Sequence, residues 1–159
     1  MAVETKQKLA RREVHYDSFQ DFLDDAQRLA SGQYRQIGNW SLGGILKHLA
    51  NAMNSSIDGL DSMKVPWFLK LLRPIVKRRF LKGPFPSGFQ LNKEAAAVLV
   101  ADPSTTVEEG MTAVRDAIDR LGRENKRSPH PAVGQLNVAE WNQVHLRHAE
   151  MHMSHLVPE

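Results

Sequence analysis

Five positions near the C-terminus constrain this chain more than any others. Trp141, His145, His148, His152 and His155 recur at spacings of four, three, four and three. On a helix, which advances about 100° per residue, they fall within one narrow arc, the spacing of the buried seam in a helix bundle. Imidazole therefore stands where a bundle normally places leucine. Each neutral ring carries one donor and one acceptor, and a buried polar group left unpaired costs about 1–3 kcal/mol. Protonation is no remedy, because it would set cations side by side. A divalent metal ion resolves the conflict, since neutral imidazole nitrogen suits a zinc- or nickel-type site. His148 and His152, four residues apart, direct both rings at one space, as in helical zinc sites. One ion cannot take four ligands from one helix. His145 and His155 are therefore read as hydrogen-bonding neighbours of the ligands or as candidate acid–base partners. The plainer alternative stays open, since a lone HxxxH also occurs as a surface or hydrogen-bonded pair.

A third ligand has to come from another helix, and His48 is the candidate. It follows Trp40 and Ser41 within Leu42, Ile45, Leu46, Leu49, Met53 and Ile57, an apolar row at helical spacing. His48 sits on the flank of that row, beside Ile45 and Ala52. Gly43 and Gly44 lower helix propensity there by about 1 kcal/mol each relative to alanine, and they permit the close approach of another element. Gly59 or the Asp61-Ser62 pair ends this helix. Three protein ligands would leave a coordination position open for water or substrate, whereas a fourth from His15 or His145 would close the site into a structural one.

Two more helices have clear patterns. Ser18 with Asp21 forms a capping pair ahead of Phe19, Phe22, Leu23, Ala26 and Leu29, with Gly32 as the stop. Ser104 or Thr105, the latter boxed with Glu108, starts a helix carrying Val107, Met111, Val114, Ala117, Ile118 and Leu121 to Gly122. Asn137 with Glu140 starts the last helix, which runs from Val138 to about Leu156. Residues 123–135 read as a loop. No strand pattern outlasts a few residues. Four amphipathic segments joined by loops predict an all-α fold, a four-helix bundle in a single domain spanning 1–159, with residues 1–14 a loosely ordered arm.

Between the second and third long helices lies a basic, apolar crossover. Lys64, Lys70, Arg73, Lys77, Arg78, Arg79 and Lys82 occur with no acid between Asp61 and Glu94. Pro66 suits a first turn, and Pro74 should kink or split a helix. Residues 84–88 read as an irregular connection, and 94–100 fit either a helical turn or an extended segment. With Trp67, Phe68, Leu69, Leu71, Leu72, Ile75 and Phe80, the stretch allows an amphipathic surface helix that could contact anionic lipid, nucleic acid or an acidic ligand. The ordinary reading is a crossover that packs its apolar side on the bundle. It carries no aromatic stacking pattern, and no nucleic acid is expected as a partner.

The chain has no cysteine, which excludes disulfides, thiolate ligands and cysteine nucleophiles. It has no apolar run long enough to cross a membrane, and residues 1–6 lack the apolar core of a signal peptide. A cytoplasmic location is the expectation. The net charge of +3 excludes little.

Two segments resemble a known superfamily. Residues 40–49, WSLGGILKHL, look like the second-helix signature of the DinB/YfiT superfamily, with an aromatic, a capping Ser or Thr and a His seven residues after the cap. Residues 147–156, RHAEMHMSHL, resemble its last-helix signature, although Met153-Ser154-His155 stands where Arg-Gly-Gln is frequent. Pro86-Ser87-Gly88-Phe89-Gln90, His130-Pro131, Glu140-Trp141 and Arg147-His148-Ala149-Glu150 are similar to an uncharacterised DinB-like subfamily of unknown function. The resemblance covers the chain from about residue 12 onward. It implies a four-helix bundle holding a divalent metal on His48, His148 and His152. It also implies either a transferase or isomerase that uses low-molecular-weight thiols, or a metal-dependent hydrolase, acting on a small molecule. A homodimer is a further expectation, because bundles of this type pair through exposed apolar helix faces.

Overall fold

The computed structural model describes residues 10–60, 66–85 and 91–159. Expectations for residues 1–9, Asp61-Ser62, Lys64 and residues 86–88 fall outside this range. Four long helices make the frame: α1 (Phe19–Ser31), α2 (Leu42–Asp58), α5 (Val107–Arg123) and α6 (Val138–Met153). Two short ones, α3 (Arg73–Lys82) and α4 (Lys93–Leu99), lie in the crossover. Residues 94–100 are thus helical almost throughout, capped by the Asn92 side chain, which accepts from the Ala95 N–H at 2.8 Å.

The caps show why the long helices begin where they do. Ser18 and Asp21 form a reciprocal box at α1, and Asn137 and Glu140 form one at α6. At α5 the box is Thr106 with Glu109, one residue later than Thr105 with Glu108. The reason is local: the Thr105 hydroxyl donates to the Asp102 carbonyl at 2.7 Å, closing the preceding turn, so the next threonine caps. Gly122 does not end α5, which runs one residue further and is capped by the Glu124 N–H. Pro74 splits the crossover as its ring geometry requires: a 3-10 turn, Trp67–Leu72, precedes it, and Pro74 itself sits in the first turn of α3.

α2 packs most extensively on α5. A Cβ on Gly43 would lie 2.4 Å from the Thr105 carbonyl oxygen, and one on Gly110 would lie 2.6 Å from the Gly43 oxygen. The two backbones cross where neither helix carries a side chain. The main core gathers Phe22, Leu29, Leu42, Leu46, Leu49, Met53, Val114, Ala149 and Met153. A smaller cluster joins Val133, Leu136, Trp141 and Val144 to Val76, Phe80, Leu81 and Phe85.

α6 stops at Met153, short of Leu156. The chain then forms β2 (Leu156–Pro158), paired antiparallel with β1 (Tyr34–Gln36) so that Gln36 faces Leu156. The Ile37 N–H donates to the His155 carbonyl at 2.9 Å, extending the ribbon. His155 is therefore off the helix. This ribbon clamps the connection between α1 and α2, and with it Trp40, against the end of α6. Residues 10–14 are tied down by Arg12, which pairs with buried Asp25 and donates from Nε to the Met153 carbonyl at 3.3 Å.

Candidate metal centre and its cavity

His48 lies in the middle of α2 and is almost fully buried. His148 and His152 lie one turn apart on α6, half-buried, facing it. His148 Nε2 is 3.1 Å from His48 Nε2 and 3.1 Å from His152 Nε2. One ligand atom from each of the three rings lies within 4.8 Å of the others, a grouping that could hold a metal ion. A tetrahedral ion with bonds of about 2.0–2.1 Å separates its ligand nitrogens by about 3.3 Å, close to the two 3.1 Å separations that His148 makes with its neighbours.

The hydrogen bonds decide which nitrogens are free. His48 Nδ1 lies 2.8 Å from the Leu99 carbonyl, which only accepts, so the ring proton is on Nδ1 and Nε2 presents a lone pair. A single N–H on His148 would have to serve both neighbours at once. Three lone pairs aimed at one cation satisfy all three rings together. Burial also favours the ligand form. It lowers the pKa of His48 against the opposing effect of the Leu99 bond, and it carries His152 to about 3. His148 falls well below the usual histidine range, through burial and then the nearby rings of His152 and His48. All three are neutral at neutral pH.

Aromatic rings hold the set in place. Trp40 stacks on His152 at 5.3 Å and meets His48 edge-on at 4.8 Å; Phe85 stacks on His148 at 4.9 Å. The three imidazoles stand at the wall of a mainly apolar cavity of about 790 Å³ that also takes in Phe80, Leu99 and Met151.

His145 and His155 also line this cavity, outside the three-ring cluster. The Ser56 hydroxyl donates to the Met53 carbonyl at 2.6 Å, so it accepts from His145 Nε2–H at 3.1 Å. Burial pushes His145 down to about 3, helped by the Arg127 charge and the neighbouring His130 ring. His155 donates from Nδ1 to the Met151 carbonyl at 3.1 Å, which leaves its Nε2 as an acceptor. His15 is exposed, beside Asp17, Arg147 and Glu150, and stands outside the three-ring cluster. Glu150 accepts from the Tyr16 N–H at 2.7 Å and anchors the arm, away from the cavity.

Sequence reasoning missed three contributors. His130 lines the cavity, its Nδ1 accepting from the Ala132 and Val133 N–H groups, and burial lowers it to about 4. It sits in a loop, where no periodicity points to it. Phe85 comes from the crossover, and the Leu99 contribution is a backbone carbonyl that no side-chain pattern encodes.

The chain belongs to the family described as Protein of unknown function (DUF1569), whose model matches residues 8–159. No curated protein and no solved structure matches it.

Proposed function

We propose that this chain is a DinB-like metalloprotein in which His48, His148 and His152 hold one divalent ion, zinc or nickel, through Nε2. The ion would act as the centre of a metal-dependent hydrolase or of a transferase using a low-molecular-weight thiol. The observation that supports this reading is the grouping of three neutral imidazoles, one ligand atom of each within 4.8 Å of the others, with the His48 tautomer fixed by the Leu99 carbonyl. With three protein ligands, such an ion keeps an open position and lowers the pKa of a water or thiol bound there.

The remaining roles belong to the chain itself. Trp40 and Phe85 restrict rotation of the ligand rings, and with Phe80 and Leu99 they exclude water and receive the apolar part of a small-molecule substrate. His155 is the candidate proton acceptor, because its Nε2 lone pair is uncommitted by the Met151 bond. His145 is too weakly basic for that task, and its proton is held by Ser56. It positions α6 against α2.

Cobalt substitution tests the reading. An open three-imidazole site should give a visible cobalt spectrum that changes when a thiol or azide is added, and a thiolate charge-transfer band would favour the transferase over the hydrolase. A spectrum insensitive to both additives would indicate a closed structural site and contradict the enzyme reading.

A further inference from the structure

The crossover exposes what it was expected to bury. Trp67 is 74% exposed, Leu71 75% and Ile75 70%, with Phe68 and Leu72 about half exposed beside them. α3 packs on the bundle through Val76, Phe80 and Leu81. The exposed residues follow one another along the 3-10 turn and into the start of α3, so that this end of the crossover is apolar over a continuous stretch. Among the described residues, the other large apolar side chains this exposed are Val98 and Val100. Single exposed apolar residues need no explanation, but a contiguous stretch does.

The stretch continues into cations. Ile75 is followed on the same side by Arg78, Arg79 and Lys82, and Lys70 flanks it, all exposed. Lys77 is set apart from them by an ion pair with Glu140 at 2.8 Å. The sequence from 62 to 93 contains no acid. Apolar side chains at one end of an element and cations at the other match a surface whose interior is apolar and whose face is anionic.

We propose that the segment 67–82 docks the protein on an anionic phospholipid surface. Trp67, Phe68, Leu71 and Ile75 enter the boundary between headgroups and acyl chains, while Lys70, Arg78, Arg79 and Lys82 lie among the phosphates. A second copy of the chain suits the stretch poorly, since it would bring the same excess of cations to the contact and no acid from 62 to 93 to meet them. A nucleic acid would leave Leu71 and Ile75 without a partner. The element also has an inner side: Phe80, in the same helix, lines the cavity. Docking would therefore place the cavity wall next to the membrane. This surface is independent of whether the three histidines hold an ion.

Vesicle flotation of the full chain tests the proposal, comparing phosphatidylglycerol–phosphatidylcholine vesicles with pure phosphatidylcholine. The expected result is at least tenfold tighter binding to the anionic vesicles, with a blue shift of tryptophan emission that is missing in Trp67→Phe. The triple variant Trp67→Ala, Leu71→Ala, Ile75→Ala and the charge variant Arg78→Glu, Lys82→Glu should each lose at least tenfold while keeping wild-type circular dichroism. Equal binding to both vesicle types, or wild-type binding by the triple variant, would overturn the proposal. So would a homodimer in solution that the triple variant converts to monomer, or tighter binding to duplex DNA than to the vesicles.

Discussion

His48 donates from Nδ1 to the Leu99 carbonyl, and that one bond determines what its other nitrogen offers. Other single residues are under comparable constraint. His145 and His130 are held neutral by burial, with folded pKa values near 3 and 4 against about 6.5 in an unfolded chain. Below pH 6.5 the unfolded chain takes up these protons and the folded one does not, so stability rises with pH across this window. Each of the two contributes a slope of about 1.4 kcal/mol per pH unit there. Urea titrations between pH 7 and 4.5 should show this loss, and His145→Gln should flatten it. Asp25 presents the opposite charge problem. Its buried carboxylate accepts from Arg12, Tyr16 and Arg28, so Asp25→Ala leaves Arg12 uncompensated. Denaturant unfolding should show a destabilisation of about 3–5 kcal/mol.

At the scale of elements, the crossing of α2 and α5 at Gly43 and Gly110 has no room for a methyl group, because the opposing atoms are backbone. Gly43→Ala should therefore destabilise by about 1–3 kcal/mol or more despite its better helix propensity, as thermal unfolding would show. Gly44→Ala, where the added atom would meet only the Ser41 hydroxyl at 3.3 Å, should be much milder. The elements that were legible in the sequence are those set by local chemistry. The caps of α1, α2 and α6, the apolar rows and the break at Pro74 all follow from residues within a few positions of one another. The β-ribbon was not legible, because two three-residue strands more than a hundred positions apart in the chain carry no periodic signal, and their pairing takes His155 off the helix whose spacing it continues. The exposure of Trp67 and Leu71 was hidden for the related reason that an amphipathic pattern does not say which side meets the core. At the site, the pair on α6 and His48 could be nominated from spacing, whereas His130 and the Leu99 carbonyl required the tertiary fold.

For the whole molecule, the main core of Phe22, Leu46, Met53 and Met153 is built without the histidine cluster. Removing an ion should thus leave the helices formed. A ligand at a thousand times its dissociation constant stabilises by about 4 kcal/mol, so chelation should lower the melting temperature while the far-ultraviolet circular dichroism at room temperature stays unchanged. The central claim is that His48, His148 and His152 together hold one divalent ion. Mass-spectrometric metal analysis of the tag-free protein tests it most directly, as wild type and as His48→Ala, His148→Ala and His152→Ala. The account predicts about one zinc or nickel ion per wild-type chain and loss of it in each variant. A wild-type protein still empty after equilibration with both metals, or a variant that keeps its ion, would contradict it.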